Sequence, residues 1–145
     1  MTEERQGDAP KHLRALLVED HKLIRMVLLQ QLEQLGGFEV DAVGDGKEAL
    51  DALDRAAYDV VLLDCYMPDM DGFATAAEIR KREAGHQRIP IIALTASEHD
   101  AQKCLDAGMD EVLPKPVESE RLKSCIDKWV CRSGHRGPVD PPLSC

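Results

Sequence analysis

The stretch VVLLDCYMPDMDGF, residues 60 to 73, decides how the rest of the chain is read. Val60, Val61, Leu62 and Leu63 follow one another without a polar interruption, the pattern of a central strand in a parallel sheet, covered on both faces. The run ends in Asp64. After Pro68, the Asp71-Gly72 pair turns the chain into a helix expected from Phe73 to about Glu83. A covered strand thus delivers a carboxylate to its carboxyl end and then crosses over through a helix.

The same unit recurs on both sides of this stretch. Toward the N-terminus, Leu13 to Val18 is a short apolar run ending in Glu19-Asp20. From His21 to Leu35 the period becomes helical, with Ile24, Val27, Leu28, Leu32 and Leu35 on the expected apolar face and Gly36-Gly37 as the stop. Phe38, Val40 and Ala42 alternate with Glu39 and Asp41, as in an edge strand with one wet face. Lys47 to Ala57 reads as a small amphipathic helix through Ala49, Leu50, Leu53 and Ala57. Toward the C-terminus, Ile91 to Leu94 is a covered strand closed by Thr95, and Glu98 to Ala107 a helix stopped by Gly108. Glu111 to Leu113 is a minimal strand leading to Pro114-Lys115-Pro116. A last helix, from about Glu118 to Cys131, carries Leu122, Cys125, Ile126, Trp129 and Val130 at helical spacing. Five alternating units imply an α/β domain with a parallel sheet between two helical layers.

Length and composition narrow the function. At 145 residues there is room for one domain with a sizeable core. Charges of 27 acidic against 18 basic side chains, net −9, disfavour a polyanionic partner, so direct nucleic-acid binding is not expected. Five cysteines without Cys-x-x-Cys spacing suggest neither a disulfide framework nor a zinc knuckle. The polar N-terminus carries no hydrophobic stretch behind its charges, so no membrane segment is expected and the expected location is cytoplasmic. Residues 1–11, and 132–145 with their clustered Gly and Pro, read as flexible tails, the second also as a linker. Arg80-Lys81-Arg82 reads as a solvated helix end, and Met67 and Met70 as packing under the loop after Asp64.

In an open parallel sheet, ligands bind beyond the carboxyl ends of the strands, where strand order reverses. The residues expected there are Glu19, Asp20, Asp64, Thr95 and Lys115. Carboxylates crowded together repel one another unless a cation compensates. Hard oxygen ligands with space left for water and phosphate suit Mg²⁺. A phosphoryl group between the metal and Lys115, with Thr95 donating a hydroxyl, makes Asp64 the candidate nucleophile. Each residue alone has a blander explanation, Asp20 as a helix N-cap for instance. Their conjunction at four strand ends is what points to chemistry.

The segments LLVEDH (16–21), VVLLDCYMPDMDGF (60–73), PIIALTA (90–96) and AGMDEVLPKP (107–116) resemble the receiver domain of two-component response regulators, over nearly the whole folded chain. The resemblance implies a flavodoxin-like, doubly wound five-stranded parallel sheet in the order 2-1-3-4-5 with five helices, the domain spanning 12–131. It implies that Glu19 and Asp20 hold Mg²⁺ together with Asp64 and the backbone carbonyl of Tyr66. It further implies that Asp64 takes a phosphoryl group from a histidine kinase or histidine phosphotransfer domain, and that Lys115 pairs with a phosphoryl oxygen. Thr95 would move toward the acyl phosphate as a switch residue, and the Lys115-Pro116 peptide would be cis. The signal would pass to a downstream protein effector, with the face of the fourth helix, fifth strand and fifth helix as a homodimer contact. Such a protein catalyses its own phosphorylation and dephosphorylation without being an ordinary enzyme.

The family usually carries an aromatic switch residue three positions before the lysine, and here that position is Val112. This keeps open an alternative, a receiver-fold interaction module with impaired switching. A second alternative, an aspartate-nucleophile phosphatase, would want another Asp two residues after the first, where this chain has Tyr66.

Overall fold

In the computed structural model of the chain, the alternation of short apolar runs with amphipathic stretches resolves into five strands and five helices. The structure describes residues 13–67, 70–83 and 88–133. The expected tail 1–11 lies outside them, as does the expected tail 132–145 apart from its first two residues, which continue the last helix. In chain order the elements are β1 (Leu13–Val18), α1 (Lys22–Leu35), β2 (Phe38–Val43), α2 (Gly46–Arg55), β3 (Val60–Asp64), α3 (Gly72–Glu83) and β4 (Ile91–Thr95). A 3₁₀ turn (Glu98–Asp100), α4 (Ala101–Asp106), β5 (Glu111–Pro114) and α5 (Ser119–Ser133) follow.

All strands pair in parallel, in the order β2-β1-β3-β4-β5. The chain adds β2 on one side of β1, then crosses to the other side and builds β3, β4 and β5 outward. The reversal therefore falls between β1 and β3, and the crevice at their carboxyl ends is the place such sheets offer a ligand.

Successive side chains of a strand point to opposite faces, so the covered strands fill two cores. Leu16, Val18, Val61, Leu63, Ile91 and Ala93 pack with Ala49, Leu50, Ala76, Ile79 and Cys104 on the side of α2, α3 and α4. Ala15, Leu17, Val60, Leu62, Ile92 and Leu94 pack with Leu28, Leu32, Leu122 and Ile126 on the side of α1 and α5. Each fully buried aliphatic side chain contributes about 1.5–3 kcal/mol, and together they hold the strand ends in fixed register.

Four expectations are corrected in detail. The apolar side of α1 does not all face the sheet: Leu28 and Leu32 are buried, whereas Ile24 and Val27 are exposed together with Leu23 (63%) and Met26 (59%). His21 caps α1, its Nδ1 accepting from the Ile24 N–H at 3.4 Å, so Asp20 is released from the capping role. The helix expected from Glu98 is a 3₁₀ turn followed by a shorter α4. Arg80 is not a solvated helix end: its guanidinium donates to the Gly108 and Ile89 carbonyls and pairs with Glu83 and Asp110, tying α3 to the entries of β4 and β5. Met67 is buried and Met70 packs against the same core, under the loop after β3. No helix among the described residues is long and apolar enough to cross a membrane.

Candidate functional site

The strand ends deliver their polar residues to one place because β1 and β3 are in register, Val18 beside Leu63, so Glu19 and Asp64 leave the sheet side by side. Carboxylate oxygens of Glu19, Asp20 and Asp64 all lie within 4.8 Å of one another. Glu19 (1% exposed) and Asp64 (4%) are buried, and Asp20 is the most exposed of the three. The Glu19 backbone is pinned, its N–H donating to the Val43 carbonyl at 3.1 Å and its carbonyl accepting from Arg25 at 2.9 Å. The His21 N–H donates to Glu19 Oε2 at 3.1 Å.

Lys115 reaches this group from the end of β5. Its backbone N–H donates to the Thr95 carbonyl at 2.9 Å, and the Lys115-Pro116 peptide is cis. Its Nζ donates to Glu19 Oε1 at 2.9 Å and to Asp64 Oδ1 at 3.2 Å. The Tyr66 N–H donates to the same Asp64 oxygen at 3.3 Å. Both donors are spent on Oδ1, which leaves Oδ2 as the oxygen with free lone pairs among the described residues.

Electrostatics follow from this crowding. Burial pushes the Asp64 carboxyl up to about 6, against the pull of Lys115 and with a further push from Glu19. Burial works against the Lys115 ammonium, but its bond to Glu19 and the charge of Asp64 outweigh it and raise its pKa above the ordinary lysine value. Three carboxylates against one ammonium leave the pocket anionic. Its donor set is wholly hard oxygen, which fits Mg²⁺ and disfavours a soft metal.

The loop after Asp64 returns close beneath it. The Gly72 N–H donates to the Cys65 carbonyl at 2.9 Å. A Cβ on Gly72 would land on the Asp64 carbonyl oxygen and lie 2.8 Å from the Cys65 Cα, so only glycine lets α3 start here. Thr95, 2% exposed, closes β4 beside Asp64, since Leu94 is the register partner of Asp64. Its hydroxyl donates to Asp100 Oδ2 at 3.4 Å and accepts from the Ser97 N–H at 3.1 Å. Val112 stands on β5 beside Ala93 and packs against the α2, α3 and α4 core.

Two features escape a reading of the sequence. Asp100 reads as an ordinary helix-start residue, and its approach to Thr95 depends on a loop path that no spacing rule gives. The Cys65 and Cys104 thiols, from β3's end and α4, lie 3.3 Å apart in the core, a contact set by packing alone.

Comparison with known proteins agrees with this geometry. Residues 15–127 match the model of the response regulator receiver domain. A hybrid signal transduction histidine kinase of Dictyostelium discoideum is 38% identical over 141 residues, covering 92% of this chain and 8% of that protein. The receiver domain of a sensor histidine kinase from Pseudomonas aeruginosa PAO1, with a magnesium ion coordinated in its active-site cleft, superposes with a TM-score of 0.75. It is 38% identical and covers 83% of this chain and 98% of that one. The receiver domain of a Saccharomyces cerevisiae response regulator, crystallised with a histidine phosphotransfer signalling protein, is 27% identical with a TM-score of 0.76, covering 83% of this chain and 91% of that one. The chain spans only 8% of the length of the first curated relatives it resembles.

Proposed function

The chain belongs to the response regulator receiver domain family of two-component signalling, and from that premise we propose that Asp64 is its phosphoacceptor, with a histidine kinase or histidine phosphotransfer domain as donor. The observation that carries the proposal is the arrangement around one carboxylate. Asp64 is held at the switch point of the sheet, with Lys115 and the Tyr66 N–H on Oδ1 and with Oδ2 turned free. In the reaction Oδ2 attacks phosphorus, the P–N bond of a phosphohistidine breaks, and its electron pair stays on that imidazole nitrogen, which then takes up a proton from solvent. Lys115 then pairs with a phosphoryl oxygen, and Thr95, one position beyond the register partner of Asp64 on β4, supplies a hydroxyl donor.

Glu19, Asp20, Asp64 and the Tyr66 carbonyl are the groups that would hold Mg²⁺, and the bound ion would supply positive charge to the phosphoryl oxygens. The coordinated magnesium in the Pseudomonas relative supports this assignment. The exposed apolar strip of α1, formed by Leu23, Ile24, Met26 and Val27, begins three residues after Asp20 and is suited to docking a helical phosphodonor. The complex of the yeast receiver with a phosphotransfer protein supports a partner of that kind. Signalling would proceed by population shift, the phosphorylated form favouring Thr95 turned toward Asp64, with a downstream protein as reader. The free thiols Cys65, Cys104 and Cys125 suit a cytoplasmic, reducing setting. We assign the domain to residues 12–131.

The test is an intact-mass measurement after incubation with acetyl phosphate and Mg²⁺. The expected result is one added phosphoryl group, absent in Asp64→Asn and absent when EDTA replaces Mg²⁺. Multiple turnover of a phosphomonoester would identify a phosphatase instead, and no reaction at all would leave a binding module.

A further inference from the structure

The structure assigns to Asp100 the role of a positioning residue, a latch that holds the Thr95 hydroxyl away from Asp64 until a phosphoryl group competes for it. This deepens the reading above and rests on it.

Three observations carry the assignment. Asp100 ends the 3₁₀ turn that runs into α4 with helical backbone angles (φ −89°, ψ 0°), so its side chain makes no capping bond and its carboxylate is left for other donors. Its carboxylate instead accepts from the Thr95 hydroxyl at 3.4 Å, while the Ser97 N–H donates to the same oxygen of Thr95 at 3.1 Å. The hydroxyl is therefore committed away from the phosphoacceptor in the unmodified protein. Second, the bond is long for an O–H···O contact, a hold that a dianionic phosphoryl oxygen outcompetes. Third, α4 is tied by ring contacts to the loop that follows Asp64. The Tyr66 ring meets Phe73 edge-on at 5.6 Å, and Lys103 of α4 lies 4.3 Å above the Phe73 ring.

The physical sequence is then an exchange of partners. When Thr95 donates to the phosphoryl group, the Asp100 carboxylate loses the Thr95 donor and is free to move. The start of α4 and the Tyr66–Phe73–Lys103 contacts move with it. In this chain, where position 112 is a half-buried valine packed against the core, the Asp100 exchange carries the switch signal that a ring at that position would otherwise report.

The test compares initial rates of phosphorylation by acetyl phosphate and Mg²⁺ in four variants: Asp100→Ala, Asp100→Asn, Thr95→Val and the double variant Thr95→Val/Asp100→Ala. Asp100→Ala is expected to react about fivefold faster than the unmodified sequence, because the hydroxyl no longer has a competing acceptor. Asp100→Asn, which keeps an acceptor and loses only the charge, is expected within about twofold of the starting rate. In the Thr95→Val background the alanine substitution is expected to change the rate by less than twofold. In the metal-free, unphosphorylated protein the Ser97 amide resonance should shift in Asp100→Ala, while the circular dichroism spectrum stays that of the parent. Equal acceleration by Ala and Asn, or the same acceleration in the Thr95→Val background, would reduce Asp100 to a general charge effect and overturn the latch. So would an unchanged rate in Asp100→Ala. If the parent itself takes up no phosphoryl group, the phosphoacceptor reading has failed and the latch falls with it. If the parent reacts and only the Asp100 pattern fails, the latch alone is lost.

Discussion

Replacing the proposed phosphoacceptor should make the metal-free protein more stable. Asp64 is 4% exposed and its carboxyl is pushed from the ordinary 3.8 up to about 6, chiefly by burial. A carboxyl whose folded pKa is raised binds its proton more tightly in the folded state. Its stabilising contribution is therefore complete below 3.8 and is lost as the pH rises through about 6. At about 1.36 kcal/mol per pH unit, ionised Asp64 costs the fold about 3 kcal/mol at pH 8. Asn has the shape of the neutral acid and escapes that cost. Thermal unfolding in EDTA should show Asp64→Asn matching the parent near pH 4 and exceeding it at pH 8 by about 3 kcal/mol, roughly 10 °C for a domain of this size. Saturating Mg²⁺ should narrow the difference at pH 8, because an ion held by the native carboxylates stabilises the parent by mass action. An Asp64→Asn protein that is equally or less stable than the parent at pH 8 in EDTA would refute the reasoning, since burial would then not be opposing the charge.

Further outcomes follow from the same geometry. Lys115→Ala removes the ammonium that pairs with Glu19 and Asp64, and in EDTA at pH 7 should lose about 3 kcal/mol by urea titration, with part of the loss restored by Mg²⁺. Gly72→Ala drives a methyl into the Asp64 carbonyl; it should destabilise by about 1–3 kcal/mol and, by displacing the strand end, slow phosphoryl uptake at least about tenfold in the intact-mass assay. Arg80→Ala should cost about 2 kcal/mol by urea titration, less than a fully orphaned charge because Arg88 also pairs with Asp110 at 2.7 Å. A loss below about 0.5 kcal/mol would mean that Arg80 is solvated after all.

Read alone, the chain determined its strands and their order of burial. Runs such as Val60–Leu63 and Ile91–Leu94 have no wet face, so they belong inside a parallel sheet whatever surrounds them. From that sheet, and from the acid, hydroxyl and lysine that close its runs, the gathering of Glu19, Asp20, Asp64 and Lys115 was legible, because parallel strands in register send all their carboxyl ends to one edge. Tertiary structure decided what periodicity cannot express. Helical spacing marks apolar positions on α1 but not the side that meets the sheet, and packing buried Leu28 and Leu32 while leaving Leu23, Ile24, Met26 and Val27 outside. Nor does spacing say where a long or polar side chain ends. Arg80 turned into a buried network, His21 rather than Asp20 took the cap of α1, and the Asp100 side chain reached back to Thr95. Backbone pattern is a local property, set by each residue and its neighbours in the chain. The partner of a polar group is set by whichever distant segment the fold brings within about 3 Å, and only the assembled sheet and its loops determine which segment that is.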